Sequence, residues 1–171
     1  MGIREKFTDD EWELVTGAPF LAGLAASLSD TTPSCFEKEM DAHIKNLKKS
    51  RDKYAHNPLI SAILDEYYRE DNAVSPEQPA ASDENQEEPG EDITEDIMRT
   101  MGQRIEELSK AAKLAEEKLP QGEAQEFKQF LYDLAYVVAN AAGEGFLGNW
   151  GKRISRQEAG FLEKLRLALN L

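Results

Sequence analysis

The chain has 171 residues, 40% hydrophobic and 31% charged, with a formal net charge of −13 and one cysteine, Cys35. That size suits one domain with a sizeable core; a lone thiol excludes an intrachain disulfide scaffold, and no uncharged apolar run approaches the ~18 residues of a membrane span. The opening Met1-Gly-Ile-Arg-Glu-Lys leads into acidic residues rather than an apolar signal core, so the expected compartment is a reducing cytoplasm.

The first helix starts at Thr8-Asp9-Asp10-Glu11, which reads as a capping box, with Phe7 and Trp12 placed as a hydrophobic staple. Asp9 and Asp10 fall at the positive end of its dipole. Gly17-Ala18-Pro19 predicts an interruption or kink, because Pro19 lacks an amide donor. A small-residue helix then covers 20–28, where Ala22, Gly23, Ala25 and Ala26 permit close approach of a neighbour. Thr32-Pro33 predicts the next start. From there Phe36, Met40, Ile44, Leu47 and Tyr54 form an amphipathic stripe that ends near Asn57-Pro58. Leu59, Ile60, Ile63 and Leu64, with Tyr67 and Tyr68, form a shorter stripe.

Acidic residues recur from Glu70 to Asp96 with no Lys or Arg between them, and Pro76, Pro79 and Pro89 fall in the same stretch. Too little apolar surface is present there to offset the entropy of ordering, so residues 73–92 are expected to be a mobile acidic linker. It reads as a solvated tether, or as a decoy that docks on a basic partner. The remainder is close to neutral, so neither nucleic acid nor membrane is an expected partner.

Beyond the linker, Met101, Ile105, Leu108, Ala112, Ala115 and Leu119 alternate steps of four and three. This is a bundle seam that closes within the monomer or on a second copy. Pro120-Gln121-Gly122 breaks it. The most apolar segment follows, with Phe127, Phe130, Leu131, Leu134 and Val138, and it is expected to be the central helix. After a loop from Gly143 to Ile154, Ser155-Arg-Gln-Glu158 forms a second capping box and opens a last helix with Leu162, Leu165 and Leu169. No segment alternates with period two between turn signals. The expected fold is therefore all-α: a single domain over residues 1–171, a bundle of about six helices whose halves are joined by the acidic linker.

Motifs that carry chemistry give little. Gly143-Glu-Gly-Phe-Leu-Gly148 has the letters of a dinucleotide fingerprint but follows a helix, with no strand to deliver it. Glu39 and His43 are spaced as two metal ligands, yet no Glu-x-x-His motif exists, and the pair is expected on a solvated helix face. His56 is expected at a helix end. Cys35 falls in a first helical turn, where a dipole lowers a thiol pKa, but no base can be paired with it. Lys45, Lys48, Lys49, Arg51 and Lys53 form a basic run, expected to be a solvated face or a dock for an acidic partner. The most unusual surface is the loop with Phe146, Leu147, Trp150, Lys152 and Arg153, where aromatic and basic anchors sit among glycines. These five are the candidate partner-binding residues.

Two stretches share one plan. Leu21–Lys45 reads as a small-residue helix, a turn at Ser29-Asp30-Thr31-Thr32 and a helix with Ser34-x-x-Glu37; Ala135–Leu169 reads as an Ala-rich helix, a Gly-rich turn and Ser155-x-x-Glu158. This plan resembles the tellurite-resistance TerB-like helical family, and the chain also resembles uncharacterised bacterial all-α families. The TerB resemblance implies a helical fold and a divalent-metal-binding role in stress response, with Asp30 and Glu37 as the residues that carry over. From the residues themselves the expectation is a non-enzymatic helical interaction or scaffold protein that has no cofactor and works with an unknown protein partner or as a homo-oligomer. Divalent-metal binding is the alternative.

Overall fold

The computed structural model describes residues 2–29, 36–68, 91–142 and 154–171, with the side chains of 36–37, 91–98 and 142 left aside. The expectations for Asp30, Cys35, most of the acidic linker, Phe146, Leu147, Trp150, Lys152 and Arg153 lie outside the described residues, as does the side chain of Glu37. Among the described residues the chain is all-α: a short 3-10 helix (Ile3–Lys6), then α1 (Asp9–Ser27), α2 (Phe36–Lys53), α3 (Pro58–Tyr67), α4 (Glu91–Lys118), α5 (Gln121–Ala142) and α6 (Arg156–Ala168). None of these helices is long and apolar enough to cross a membrane.

The core is built around α5, which packs against all five other helices. Phe127, Phe130, Leu131, Leu134 and Val138 are fully or almost fully buried, and Ala124, Ala135 and Ala139 extend the covered surface around the helix. Opposite this bulky helix stands α1, whose buried positions are mostly small: Ala18, Ala22, Gly23, Ala25 and Ala26. Large side chains set into a small-residue surface let helix axes approach closely at interior packing density. The seam of α4 closes inside the monomer from Leu108 to Leu119.

Ion pairs and caps fix the helix directions. Lys118 at the end of α4 reaches Glu11 at the start of α1 (2.7 Å), so these helices are antiparallel. Lys128, early in α5, donates to Glu116 of α4 (2.6 Å) and to the Asn170 carbonyl beyond α6 (3.4 Å), which sets α4 and α6 antiparallel to α5. Lys53 and Tyr54 meet Asp133 while His56 meets Glu126, so α2 is antiparallel to α5 as well. Thus α1 and α5 run one way, and α2, α4 and α6 the other.

The first helix is not interrupted at Pro19, as the sequence suggests, but runs through it. Pro19 leaves the Val15 carbonyl without its helical donor. Next to it, the Tyr67 hydroxyl of α3 donates to the Thr16 carbonyl (3.1 Å). Burial pushes that phenol up to about 12. Both capping boxes form, at Thr8 with Glu11 and at Ser155 with Glu158, and Phe7 meets Trp12 with ring centroids 5.8 Å apart. The helix after residues 69–90 begins at Glu91, two residues inside the expected linker, where acidic residues favour a helix N-terminus.

Asn57 shows how tightly the end of the bundle holding α3 is fastened. Fully buried, it caps α3 by accepting from the Ile60 amide (3.1 Å), and its side-chain amide donates to the Glu123 carbonyl (3.0 Å) and to Glu126 (2.9 Å). Replacing it by Ala removes a cap worth about 1 kcal/mol and leaves buried polar partners unmatched. Asn57→Ala is therefore expected to cost about 2–4 kcal/mol in urea unfolding, whereas Lys45→Ala, which breaks an exposed pair with Asp41, should cost less than about 0.5 kcal/mol.

Candidate functional site at the second end of the bundle

The helix directions gather four chain ends at the end of the bundle away from α3. Ser29 closes α1, Phe36 opens α2, Ala142 closes α5 and Ile154 precedes α6. The two turns that the sequence singles out, at 30–35 and 143–153, are therefore both attached here, although they lie more than 100 residues apart along the chain.

Beside this end lies a polar seam. Along α2 the buried face is Glu39, His43, Leu47, Ser50 and Tyr54. This face is turned from the expected stripe: Leu47 and Tyr54 belong to it, but Met40 is only half-buried and Ile44 is exposed. The Glu39–His43 pair, expected on a solvated face, is almost completely buried, at 3% and 2% exposure. The physical reason lies on α1. A Cβ placed on Gly23 would come within 2.4 Å of His43 Nδ1, so the missing side chain makes the space that the imidazole fills. A signal for this was present, since Glu39, His43, Leu47, Ser50 and Tyr54 also recur in steps of four and three; the polar residues among them hid it.

Neither ring nitrogen of His43 has a hydrogen-bond partner among the described residues. Desolvation lowers its pKa from 6.5 to about 4, so the ring is neutral at physiological pH. Among the described residues no group of three His, Cys, Asp or Glu side chains is arranged to hold a metal ion. His56 stands on the surface, with Glu126 at 2.8 Å. The basic run is exposed: Lys45 pairs with Asp41, Arg51 with Asp65 and Lys53 with Asp133, while Lys48 and Lys49 make no ion pair among the described residues.

On the outside of the same seam the surface is apolar. Phe20, Leu24 and Leu28 follow one another at four-residue spacing on α1, and Phe20 and Leu28 are 43% and 37% exposed. No charged residue occurs in α1 after Glu13. Because α1 and α2 are antiparallel and meet at Gly23 and His43, the next residue of each, Leu24 and Ile44, turns about 100° to the same side. The outward Ile44, 37% exposed, thus joins the α1 stripe. Lys48 and Arg51 continue its face of α2 one and two turns on. No family model, curated protein or solved structure matches the chain.

The buried imidazole sets a pH dependence. Its folded pKa lies below the unfolded value, so folding favours the neutral ring; stability is complete above about pH 6.5, declines as pH falls towards 4 and levels off below that. The decline is on the order of 3 kcal/mol. The lowered carboxyl groups of Glu11 and Glu126 act only below their ordinary 4.5. Urea unfolding between pH 6.5 and 4.5 should therefore show this slope, and His43→Leu should flatten it. In the same assay at pH 7.5, Gly23→Ala should cost roughly 1–3 kcal/mol by overpacking. The loss should vanish in a His43→Ala background, where Ala is the better helix former.

Proposed function

We propose that the protein is a non-enzymatic, cytoplasmic helical interaction module that binds a protein partner through the outer face of the α1–α2 seam and the adjoining turns. The observation that carries this reading is the inversion on α2: a histidine and a glutamate are buried while Ile44 faces outward beside Phe20 and Leu28. An apolar patch drawn from two adjacent helices marks a place where another surface is received, whereas single exposed apolar residues do not. Basic residues at its rim, Lys48 and Arg51, supply direction and selectivity. The candidates Phe146, Leu147, Trp150, Lys152 and Arg153 enter this proposal on their sequence alone, as aromatic and basic anchors between α5 and α6.

The test is capture of partners from lysate by immobilised protein, with melting temperature as control. Phe20→Glu is expected to reduce capture strongly while shifting the melting temperature by only a few degrees. Leu167→Glu, on the 64% exposed residue of α6, should leave capture unchanged. Equal loss in both variants, or no loss in either, would refute the assignment of this face.

A further inference from the structure

His43 is buried at a place that uses only its volume. The ring fills the space beside Gly23, where a Cβ would lie 2.4 Å from Nδ1, and neither ring nitrogen has a hydrogen-bond partner. A neutral imidazole so placed leaves one donor and one acceptor unmatched, whereas a protonated one brings two donors and a full charge. A buried charge without a partner costs far more than an unmatched neutral group.

Among the described residues, no group meets that charge. On α1 nothing ionisable occurs from Leu14 to Ser29. On α5 nothing ionisable follows Tyr136 through Ala142; Tyr136 itself is exposed, and Asp133 is engaged by Lys53 and Tyr54 at the far end of α2. On α2, Glu39 shares the inner face one turn away but bonds to neither nitrogen, while Asp41 and Lys45 pair with each other in solvent. From α3, Asp65 is turned to Arg51 and Glu66 to Trp12.

The contacts that fasten the α3 end do not involve this ring. Lys53 and Tyr54 hold the end of α2 to Asp133, and Asn57 joins α3 to α5. The hydrogen bond from Lys118 holds the Glu11 carboxyl below its ordinary range, and those from His56 and Asn57 do the same for Glu126. Both carboxylates therefore keep their partners at mildly acid pH.

We propose that His43 is an acid-sensitive wedge: when its ring takes a proton from solvent, the α1–α2 seam opens locally at Gly23 while the α3 end of the bundle stays closed. The open state lets the imidazolium reach water and uncovers the small-residue face of α1 around Gly23. Neutral pH closes the seam again, because the uncharged ring is the form that the space accepts.

Hydrogen exchange on the full chain at pH 6.5 and 4.5, corrected for intrinsic exchange rates, tests the proposal. With the ring at its ordinary 6.5 when open and at about 4 when closed, opening becomes about thirtyfold more favourable over this interval. Protection of Leu21–Ala26 in α1 and Met40–Lys48 in α2 should fall by that factor. At both pH values it should lie about tenfold or more below that of Leu59–Leu64 in α3 and Phe127–Leu134 in α5. His43→Leu and His43→Gln should each abolish the acid response of the seam, and either one decides the point if the other folds poorly. A seam whose protection does not change with pH overturns the proposal. So does a seam that exchanges at the same protection as α3 and α5, since global unfolding is then what exposes His43. A response that survives in the folded variants assigns the proton to another group and overturns it as well.

Discussion

The arrangement of this bundle depends on one complementarity of size. The phenylalanines and leucines of α5 need partners that come close, and α1 meets them with Ala18, Ala22, Ala25 and Ala26, while α4 contributes Ala111, Ala112 and Ala115. Each fully buried Phe or Leu of α5 contributes roughly 1.5–3 kcal/mol by leaving water, but only where the facing helix has no side chain in the way. Because α5 touches all five other α-helices, with Gln125, Gln129 and Tyr136 left on its exposed face, it fixes where every other helix can sit. The short side chains on α1 are thus as much a part of the core as the long ones on α5.

The same rule explains the least expected feature, polar groups inside and apolar groups outside on one helix. Where α1 has Gly23, the available space is shallow and next to a small-residue wall, and α2 fills it with the flat ring of His43. A ring nitrogen buried without a partner costs about 1–3 kcal/mol. A cost of this kind persists only if the surrounding helices leave α2 no better rotation. Once His43 and Tyr54 define the inner face, Ile44 must point to solvent, one position round the helix. The apolar patch on the seam is in this sense the other side of the Gly23–His43 contact.

Among the described residues, several polar contacts that span distant parts of the chain lie towards the opposite end. Asn57 joins α3 to α5, Trp12 donates to Glu66 (2.9 Å), Tyr67 donates to the Thr16 carbonyl, and Lys118 reaches both Glu11 and the Lys6 carbonyl. Arg51 pairs with Asp65 and lies 5.7 Å over the ring of Tyr68. Individually the exposed pairs contribute little, while the buried Asn57 is fixed by several partners.

Local chemistry in the sequence was enough for the helices themselves. Thr8 with Glu11 and Ser155 with Glu158 mark starts because the capping partners lie within one turn, Asn57-Pro58 marks a helix end, and the stripes of α3, α4 and α5 are strong enough to outweigh any alternative period. Two outcomes were decided by contacts between residues far apart in the chain. α2 presents Glu39 and His43 inward because Gly23 leaves room, and the ends of α1 and α5 lie beside the starts of α2 and α6 because α2 and α6 run opposite to α1 and α5. Periodicity along a helix fixes how wide its buried face is, but the direction that face takes depends on the volume left by its neighbours, and that volume exists only after the bundle has closed.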